Sequence, residues 1–287
     1  MASKRLIRRR IRSAKNITQI TRAMQLVAAS KMKKAQTLAL SGRPYAQKIL
    51  EMTREFATRT ERERHPLLKK IMLEKKLVVL ISTNKGLCGA LNANLFRAVL
   101  EWFGKEDVGY ITLGKKGEGF VIRTGRELIA DFSKNPPFIK NVSAITNLVM
   151  ENYLEGIFGQ VFLVYNNFIS AFSQIPTKEK ILPIELEESW KEEEKNTQDA
   201  IGEFLIEPNK EAVLEALLPH YLEVQIRAAI LEAEACEHSA RMLAMKNATD
   251  NAIELTRQLT LDYNRARQQT ITYEIADMVT ARMAVEK

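Results

Sequence analysis

The sequence predicts an α/β fold in which a compact central domain lies between two long terminal helices. Glycine and proline interrupt most helices, and both are absent from residues 2–41 and 220–287. All twelve glycines lie between residues 42 and 202. Within that central part, short apolar runs alternate with runs of helical spacing, which is typical of a mostly parallel sheet covered by helices.

Composition excludes several classes of protein. The 287 residues are 46% hydrophobic and 27% charged, as in an ordinary globular protein. We find no run of ~18 apolar residues that would predict a membrane-spanning helix, and no apolar secretory segment near the start. The Arg-rich start also resembles an organelle transit peptide, but it passes without a break into a helical pattern. Cys88 and Cys236 are far apart, which fits a reducing compartment and predicts neither a disulfide scaffold nor structural zinc.

The two terminal segments predict an antiparallel coiled coil. At ~1.5 Å per residue they could extend ~60 Å and ~100 Å, so each must bury an apolar stripe against a partner. Steps of three and four between apolar residues predict that they pack on each other, with the longer C-terminal helix continuing alone. The predicted seam consists of Ile17, Ile20, Met24, Val27, Leu222, Ile226, Ala229, Ala233, Cys236, Ala240, Leu243, Ile271, Ile275, Met278 and Val285.

Between residues 247 and 269 this apolar pattern weakens, and polar residues lie on every face of the predicted helix. Two interpretations stay open for this segment. It is either a solvated helix face or a polar surface that contacts a protein partner.

The central segment predicts a Rossmann-like α/β domain. Its strand candidates are rich in Val, Ile, Leu, Phe and Tyr, and the helical runs between them end at glycines. The predicted strands cover residues 75–82, 108–114, 160–168 and 179–185, and the predicted helices cover 93–104 and 143–159. We therefore divide the chain into an N-terminal coiled-coil helix (1–58), a central α/β domain (70–200) and a C-terminal coiled-coil helix (205–287).

The stretch "STNKGLCGALN" (82–92) joins a predicted strand to a predicted helix, which is a common place for a phosphate site. A P-loop requires Lys and a hydroxyl after its last glycine, whereas here Lys85 precedes Gly86 and Gly89. A dinucleotide fingerprint requires three glycines and a later acid, and these are missing. We favour a tight turn that needs glycine for its backbone angles over a nucleotide site.

Cys88 could instead act as a nucleophile, which would require a nearby base. The candidates are His65, His220 and His238, and none is recognisably paired with it in sequence. A small buried cysteine is the favoured interpretation. We find no motif for a metal, a cofactor or a catalytic residue elsewhere in the sequence.

Charge points to a macromolecular partner. Residues 1–34 hold eleven Lys or Arg, and the first acidic residue is Glu51. Such an end suits nucleic acid, a lipid surface or an acidic protein surface. Aromatic residues, which stack on bases, are only 7% of the chain.

The residues favour a mechanical or scaffold protein; the alternatives are a small oxidoreductase or transferase with helical extensions, and a nucleic-acid-binding protein.

Three segments carry a resemblance to a known family: residues 8–36, 82–92 and 239–275. Through them the chain resembles, end to end, the gamma subunits of bacterial F-type ATP synthases. The resemblance implies a central rotor shaft inside a hexamer of three alpha and three beta subunits, beside epsilon and on the membrane ring of c subunits. It implies catalysis on beta, no cofactor or active site in this chain, no nucleic acid, and a peripheral location on the cytoplasmic face of the bacterial inner membrane.

The resemblance also implies particular contacts. Those with beta fall on Arg8, Arg9, Arg10, Met24, Arg241, Gln268 and Thr272; the turn near the head holds Lys85, Gly86, Cys88 and Gly89; the foot on the c ring holds Phe204, Ile206 and Glu207. Two departures are visible. Asn84-Lys85 stands where the family usually has Asp-Arg, and the C-terminal tail lacks the usual glycines.

Overall fold

The computed structural model describes residues 4–58, 65–69, 71–104, 106–134, 136–184 and 210–285. The chain divides into two compact units: residues 30–240, called here the domain unit, and residues 1–29 with 241–287, called the stem unit. The described elements are α1 (Lys4–Thr58), β1 (Lys76–Ile81), α2 (Leu91–Phe103), β2 (Val108–Leu113), α3 (Lys115–Arg123), β3 (Glu127–Asp131), a 3-10 turn (Phe138–Asn141), α4 (Val142–Leu154), β4 (Gln160–Phe168), β5 (Gln174–Leu182) and α5 (Lys210–Val285).

The domain unit contains a five-stranded sheet with the strand order β3-β2-β1-β4-β5. Its first four strands are parallel, and β5 pairs antiparallel with β4. The predicted mostly parallel sheet is therefore confirmed. The sequence analysis did not predict β3 or α3, and it placed the strand β5 too far toward the C-terminus. These three elements carry charged residues instead of an apolar run.

Alternating side chains of the central strands form two cores, one on each face of the sheet. Along β1, Leu77, Val79 and Ile81 contribute to one core, whereas Val78 and Leu80 contribute to the other. The first core is covered by α4 and by the N-terminal part of α5, and the second by α2 and α3. Both faces are thus buried, as a parallel sheet requires.

Proline and glycine do not end the terminal helices in the domain unit. α1 continues through Gly42 and Pro44, and α5 continues through Pro219. A proline inside a helix removes one backbone hydrogen bond. Leu218 and Leu222 beside Pro219 are fully buried in the core, so burial offsets that loss. The domain division at residues 58, 70, 200 and 205 stays a prediction.

Of the predicted C-terminal seam residues in the domain unit, Leu222, Ile226, Ala229 and Cys236 are buried, whereas Ala233 and Ala240 are half-buried. Leu222, Ile226 and Ala229 pack in the core beneath the sheet. Cys236 packs with Cys88. This part of α5 therefore serves as a covering helix of the α/β fold, and its stripe of apolar residues also matches that use.

In the stem unit the N-terminal helix buries a different face from the predicted one. Ile7, Ala14, Thr21 and Ala28 are buried at steps of seven, with half-buried Ile11, Thr18 and Gln25 between them. The predicted seam was wrong here. Ile17, Ile20 and Val27 are 50%, 59% and 57% exposed, and Met24 is half-buried.

The C-terminal helix contributes the matching stripe in the stem unit. Its buried and half-buried residues again alternate by four and three: Met245, Thr249, Ala252, Thr256, Leu259, Tyr263, Ala266 and Thr270. The Thr21 and Thr249 hydroxyls lie 2.7 Å apart, whereas Ala14 shares a groove with Leu255 and Leu259. Residue numbers therefore rise on one helix as they fall on the other, which confirms the antiparallel coiled coil.

Small and threonine side chains make this seam narrow. Thr18 and Thr256 donate their hydroxyls to the carbonyls of Ala14 and Ala252, four residues earlier, at 3.0 and 2.7 Å. The hydroxyls are thus satisfied inside their own helix, and the methyl groups remain available for packing.

Beyond the seam, residues 271–284 are exposed on every face of the C-terminal helix. The predicted stripe of Ile271, Ile275 and Met278 is therefore exposed among the described residues, and the C-terminal helix continues past the coiled-coil seam, as the sequence predicted. None of the helices in the described ranges is both long and apolar enough to cross a membrane.

Candidate functional site

The turn between β1 and α2 adopts its shape through residues other than Gly86. Leu87 and Gly89 have left-handed backbone angles, with φ of 63° and 59°. Gly86 lies outside that region, and a Cβ there would meet no atom within 4 Å. The expected need for glycine backbone angles in this turn is therefore met at Gly89 and does not apply to Gly86. Leu87, a residue type that rarely adopts this conformation, is exposed in the middle of the turn.

Asn84 connects this turn to two neighbouring loops. Its Oδ1 accepts a hydrogen bond from the backbone N–H of Lys115 at 2.9 Å, and its Nδ2 donates to the carbonyl of Ser133 at 3.1 Å. A carboxylate could make only the first bond. The amide at this position, a departure from the usual family Asp, therefore has a structural use of its own.

Cys88 is buried beneath the turn. Asn92 Nδ2 donates to its Sγ at 3.3 Å and to Thr83 Oγ1 at 2.8 Å. The thiol packs with Leu91 and Cys236. These surroundings support the interpretation of Cys88 as a packed small residue.

Ligands of doubly wound sheets bind where the strand order reverses, outside the carboxyl ends of the strands. Here that position lies between β1 and β4. Cys236 of α5 donates its thiol to the Asn166 carbonyl at 3.1 Å, and Ser239 Oγ donates to the Ala171 carbonyl at 2.8 Å. Helix α5 therefore contacts the end of β4 at the position that a nucleotide would occupy. Burial raises the pKa of the Cys236 thiol, which disfavours its reactive thiolate form.

The residues that follow β1 and β2 also lie close to each other. A Cβ on Gly114 would lie 2.3 Å from the Ser82 carbonyl oxygen, and Gly114 has a φ of 101°. Ser82 Oγ also accepts a hydrogen bond from the Gly117 N–H at 2.8 Å. The first turn of α3 therefore donates a hydrogen bond to a serine hydroxyl. This is a helix N-terminus, where other folds bind a phosphate.

The three histidines have partners elsewhere in the domain unit. His65 Nδ1 accepts from the Leu67 N–H at 3.2 Å. His220 Nε2 is hydrogen-bonded to the Tyr45 hydroxyl, and His238 Nε2 lies 3.7 Å from a Glu234 carboxylate oxygen. Among the described residues, no group of three or more His, Cys, Asp or Glu could hold a metal ion.

The stem unit exposes many apolar side chains. A groove of about 490 Å³ lies between its helices, lined by Leu6, Arg9, Arg10, Ser13, Ala14, Ile17, Leu255 and Leu259. Further exposed apolar residues are Ile20, Leu26, Val27, Ile253, Leu261, Ile271, Tyr273, Ile275, Met278, Val279 and Met283. Exposed apolar residues in such numbers are typical of a protein interface. The sequence indicates this surface because the two stem helices contain more apolar residues than one heptad stripe can hold.

The structure places the predicted contact residues as follows. Arg8, Arg9, Arg10, Gln268 and Thr272 are exposed on the stem unit, and Met24 and Arg241 are half-buried there. Lys85 and Gly86 lie on the turn of the domain unit, with Cys88 buried below them. Phe204, Ile206 and Glu207 lie outside the described residues.

A helix that contacts the end of β4 at the usual ligand position, together with a helical stem that exposes apolar and basic residues, is typical of a protein that acts by binding other proteins. Residues 3–285 match a family model described as ATP synthase. The chain is 40% identical over 293 residues to the ATP synthase gamma chain of Opitutus terrae, covering 99% of both chains. It is 41% identical over 291 residues to that of Desulfitobacterium hafniense, covering all of both. The chain belongs to the ATP synthase gamma chain family.

Solved structures agree with this assignment. A chain from the Tetrahymena thermophila mitochondrial ATP synthase central stalk and c-ring structure is 27% identical, with a TM-score of 0.58, over 80% of this chain and 99% of that one. A chain from the Euglena gracilis mitochondrial ATP synthase has a TM-score of 0.66 over 99% of this chain and 94% of that one. At 22% identity, the second comparison supports the fold alone.

Proposed function

We propose that this chain is the central rotor shaft of an F-type ATP synthase. The observation that carries the proposal is the stem unit: a two-helix coiled coil whose outer surface is apolar and basic, in a chain of the gamma family. In this function the stem rotates inside a hexamer of three alpha and three beta subunits. Rotation driven by ion flow through the membrane changes the state of the nucleotide sites on beta.

The exposed surface of the stem suits a rotating contact. Apolar residues such as Ile20, Val27 and Ile275 make contacts that do not depend on direction, so no single angle is strongly preferred. Residues 271–284 are exposed on every face of the helix and are therefore accessible to a surrounding partner. Charged and amide side chains would add contacts that form at particular angles.

We assign the angle-dependent contacts with beta to Arg8, Arg9, Arg10, Arg241, Gln268 and Thr272, and the turn with Lys85 to the neighbourhood of the head. Epsilon and the c-subunit ring complete the partner set, and the foot on that ring would be Phe204, Ile206 and Glu207. Catalysis belongs to beta, and we propose neither a cofactor nor a nucleic-acid partner. The complex would place this chain on the cytoplasmic face of the bacterial inner membrane, attached only through the c ring.

Reconstitution tests this proposal. The chain is mixed with purified alpha and beta subunits, and co-elution in size-exclusion chromatography is measured. We expect one complex for the natural chain, and its loss when Ile20 and Val27 are both changed to Asp on the exposed stem surface. Ile122→Asp is the matched control, because Ile122 is similarly exposed, at 59%, on the domain unit. A chain that remains monomeric in the mixture would contradict the proposal.

A further inference from the structure

Two threonines face each other across the coiled-coil seam of the stem unit. Thr21 and Thr249 are buried, and their hydroxyl oxygens are 2.7 Å apart. Each hydroxyl also lies within hydrogen-bond distance of a carbonyl in its own helix: Ile17 O at 2.9 Å from Thr21, and Met245 O at 2.8 Å from Thr249. The pair thus forms a short chain of oxygens that runs from one helix to the other.

The number of available hydroxyl protons determines which of these hydrogen bonds can form at the same time. Each threonine hydroxyl has one proton to donate and can accept two. One hydroxyl must therefore donate to the other, and the second must donate to its own helix carbonyl. This arrangement joins the helices only while the two hydroxyls lie opposite each other. An axial shift of one residue, about 1.5 Å, would break it.

The apolar residues around the pair set the register weakly. Ala14 and Ala28 on one helix, and Ala252 on the other, present small side chains that pack similarly after a shift. Met245 adapts its shape readily. Around the pair, the seam therefore adds little axial preference of its own, and the larger residues Ile7, Ile11, Leu259 and Tyr263 lie farther along it. A buried polar residue in a heptad seam is known to specify register at some cost in stability.

We propose that the Thr21–Thr249 hydroxyl pair fixes the axial register of the two stem helices. The inference about register depends on the stem geometry alone. Its consequence rests on the proposed function: a fixed register keeps the contact residues of both helices, such as Arg9 and Gln268, at constant relative heights as the shaft turns.

The test measures register directly in the full chain, without alpha or beta. Spin labels are attached at cysteines introduced at the exposed Arg12 and Gln258, in a background with Cys88→Ala and Cys236→Ala. Pulsed electron resonance then gives the distance distribution between them. We expect one narrow distance for the threonine pair. For Thr21→Val with Thr249→Val we expect a broader distribution or a second distance, displaced along the axis by up to about 10 Å for one heptad.

Two controls separate the hydroxyls from packing. Thr256→Val removes a hydroxyl from the same seam that donates to Ala252 in its own helix, and it should leave the distance narrow. Thr21→Ser with Thr249→Ser keeps both hydroxyls and should also keep one distance. A broadened serine pair would show that the methyl groups set the register, and would overturn the proposal.

A double valine variant with full helix content and an unchanged narrow distance would also overturn it. If that variant loses helix content by circular dichroism, the single Thr21→Val variant decides. It removes the interhelical bond, and Thr249 can still donate to Met245 O. An unchanged narrow distance in this single variant contradicts the proposal, and a broadened one supports it.

Discussion

The Cys236 thiol of the C-terminal helix donates a hydrogen bond to the Asn166 carbonyl at the end of β4, at 3.1 Å. This bond lies at the reversal of strand order, where related folds bind nucleotides. The chain has the same kind of sheet as these folds, and its own C-terminal helix lies at their ligand position. This arrangement supports the proposal that phosphate chemistry belongs to other subunits of the complex.

Burial predicts slow thiol chemistry. Cys88 and Cys236 are both buried, and burial raises the pKa of Cys236. We expect both thiols to react with a maleimide much more slowly in the folded chain than after unfolding in urea. A cysteine introduced at the exposed Ile122 gives the reference rate for an accessible thiol. Equal rates at Cys236 and at this reference position would contradict the described packing.

The two glycines of the turn should respond differently to alanine. Gly89→Ala places a side chain at a φ of 59° and should lower the free energy of unfolding by about 1 kcal/mol. Gly86→Ala should change it little, because Gly86 is outside the left-handed region and its Cβ would meet no atom. Urea unfolding of the two variants measures both values. A larger loss at Gly86 than at Gly89 would show that the turn has a different shape.

Gly114 and Gly119 are a second pair of glycines that should respond differently to alanine. Gly114 should be the more sensitive, because the backbone of Ser82 lies close to it. An alanine Cβ there would meet the Ser82 carbonyl at 2.3 Å, at an unfavourable φ of 101°. We expect Gly114→Ala to destabilise the domain by about 3 kcal/mol. Gly119→Ala, in the same region of α3, has open space and is the control. Thermal unfolding of both variants tests this difference, and similar melting temperatures would refute it.

Glu179 should make stability depend on pH. Burial raises the pKa of its carboxyl group, although a hydrogen bond from Tyr165 at 3.2 Å opposes this. The folded state then binds the proton more tightly than the unfolded state does. The free energy of unfolding should therefore fall as pH rises from the usual glutamate value of 4.5 through the raised one.

Replacing this carboxyl group tests its contribution. Glu179→Gln should be more stable than the natural chain at pH 7 and should lose that part of the pH dependence. Its side-chain carbonyl can still accept the Tyr165 hydrogen bond. Glu101→Gln, at an exposed position of α2, is the control. Unchanged stability of the Glu179→Gln variant at pH 7 would mean that the carboxylate is well solvated.

Sequence reasoning succeeded where long-range patterns decide the structure. The absence of glycine and proline from residues 2–41 and 220–287 predicted the two long helices. Continuous apolar runs predicted β1, β2 and β4, because strands buried on both faces leave little room for polar residues. β3 lies at a sheet edge and contains Glu127 and Asp131, so no comparable run marked it.

Sequence reasoning failed where several faces of a helix are apolar. In α1, Ile17, Ile20 and Val27 form a better apolar stripe than Ala14, Thr21 and Ala28, yet the second stripe is buried. Small residues allow the helices to approach closely, and threonine hydroxyls are satisfied within their own helix, as at Thr18, or by the opposite threonine, as at Thr21. The larger residues remain exposed, where the proposed partners would contact them. A single chain can thus contain two stripes, and its sequence alone does not say which one is internal.

The central claim is that this chain rotates within its complex. A gold nanorod attached to a cysteine at exposed Ile122, in complexes fixed to a surface through beta, reports the angle of the chain during ATP hydrolysis. The proposed rotor predicts unidirectional rotation in three steps per turn, one for each beta subunit, which stops when ATP is removed. ATP hydrolysis at full rate in the same complexes with a stationary nanorod would contradict the account.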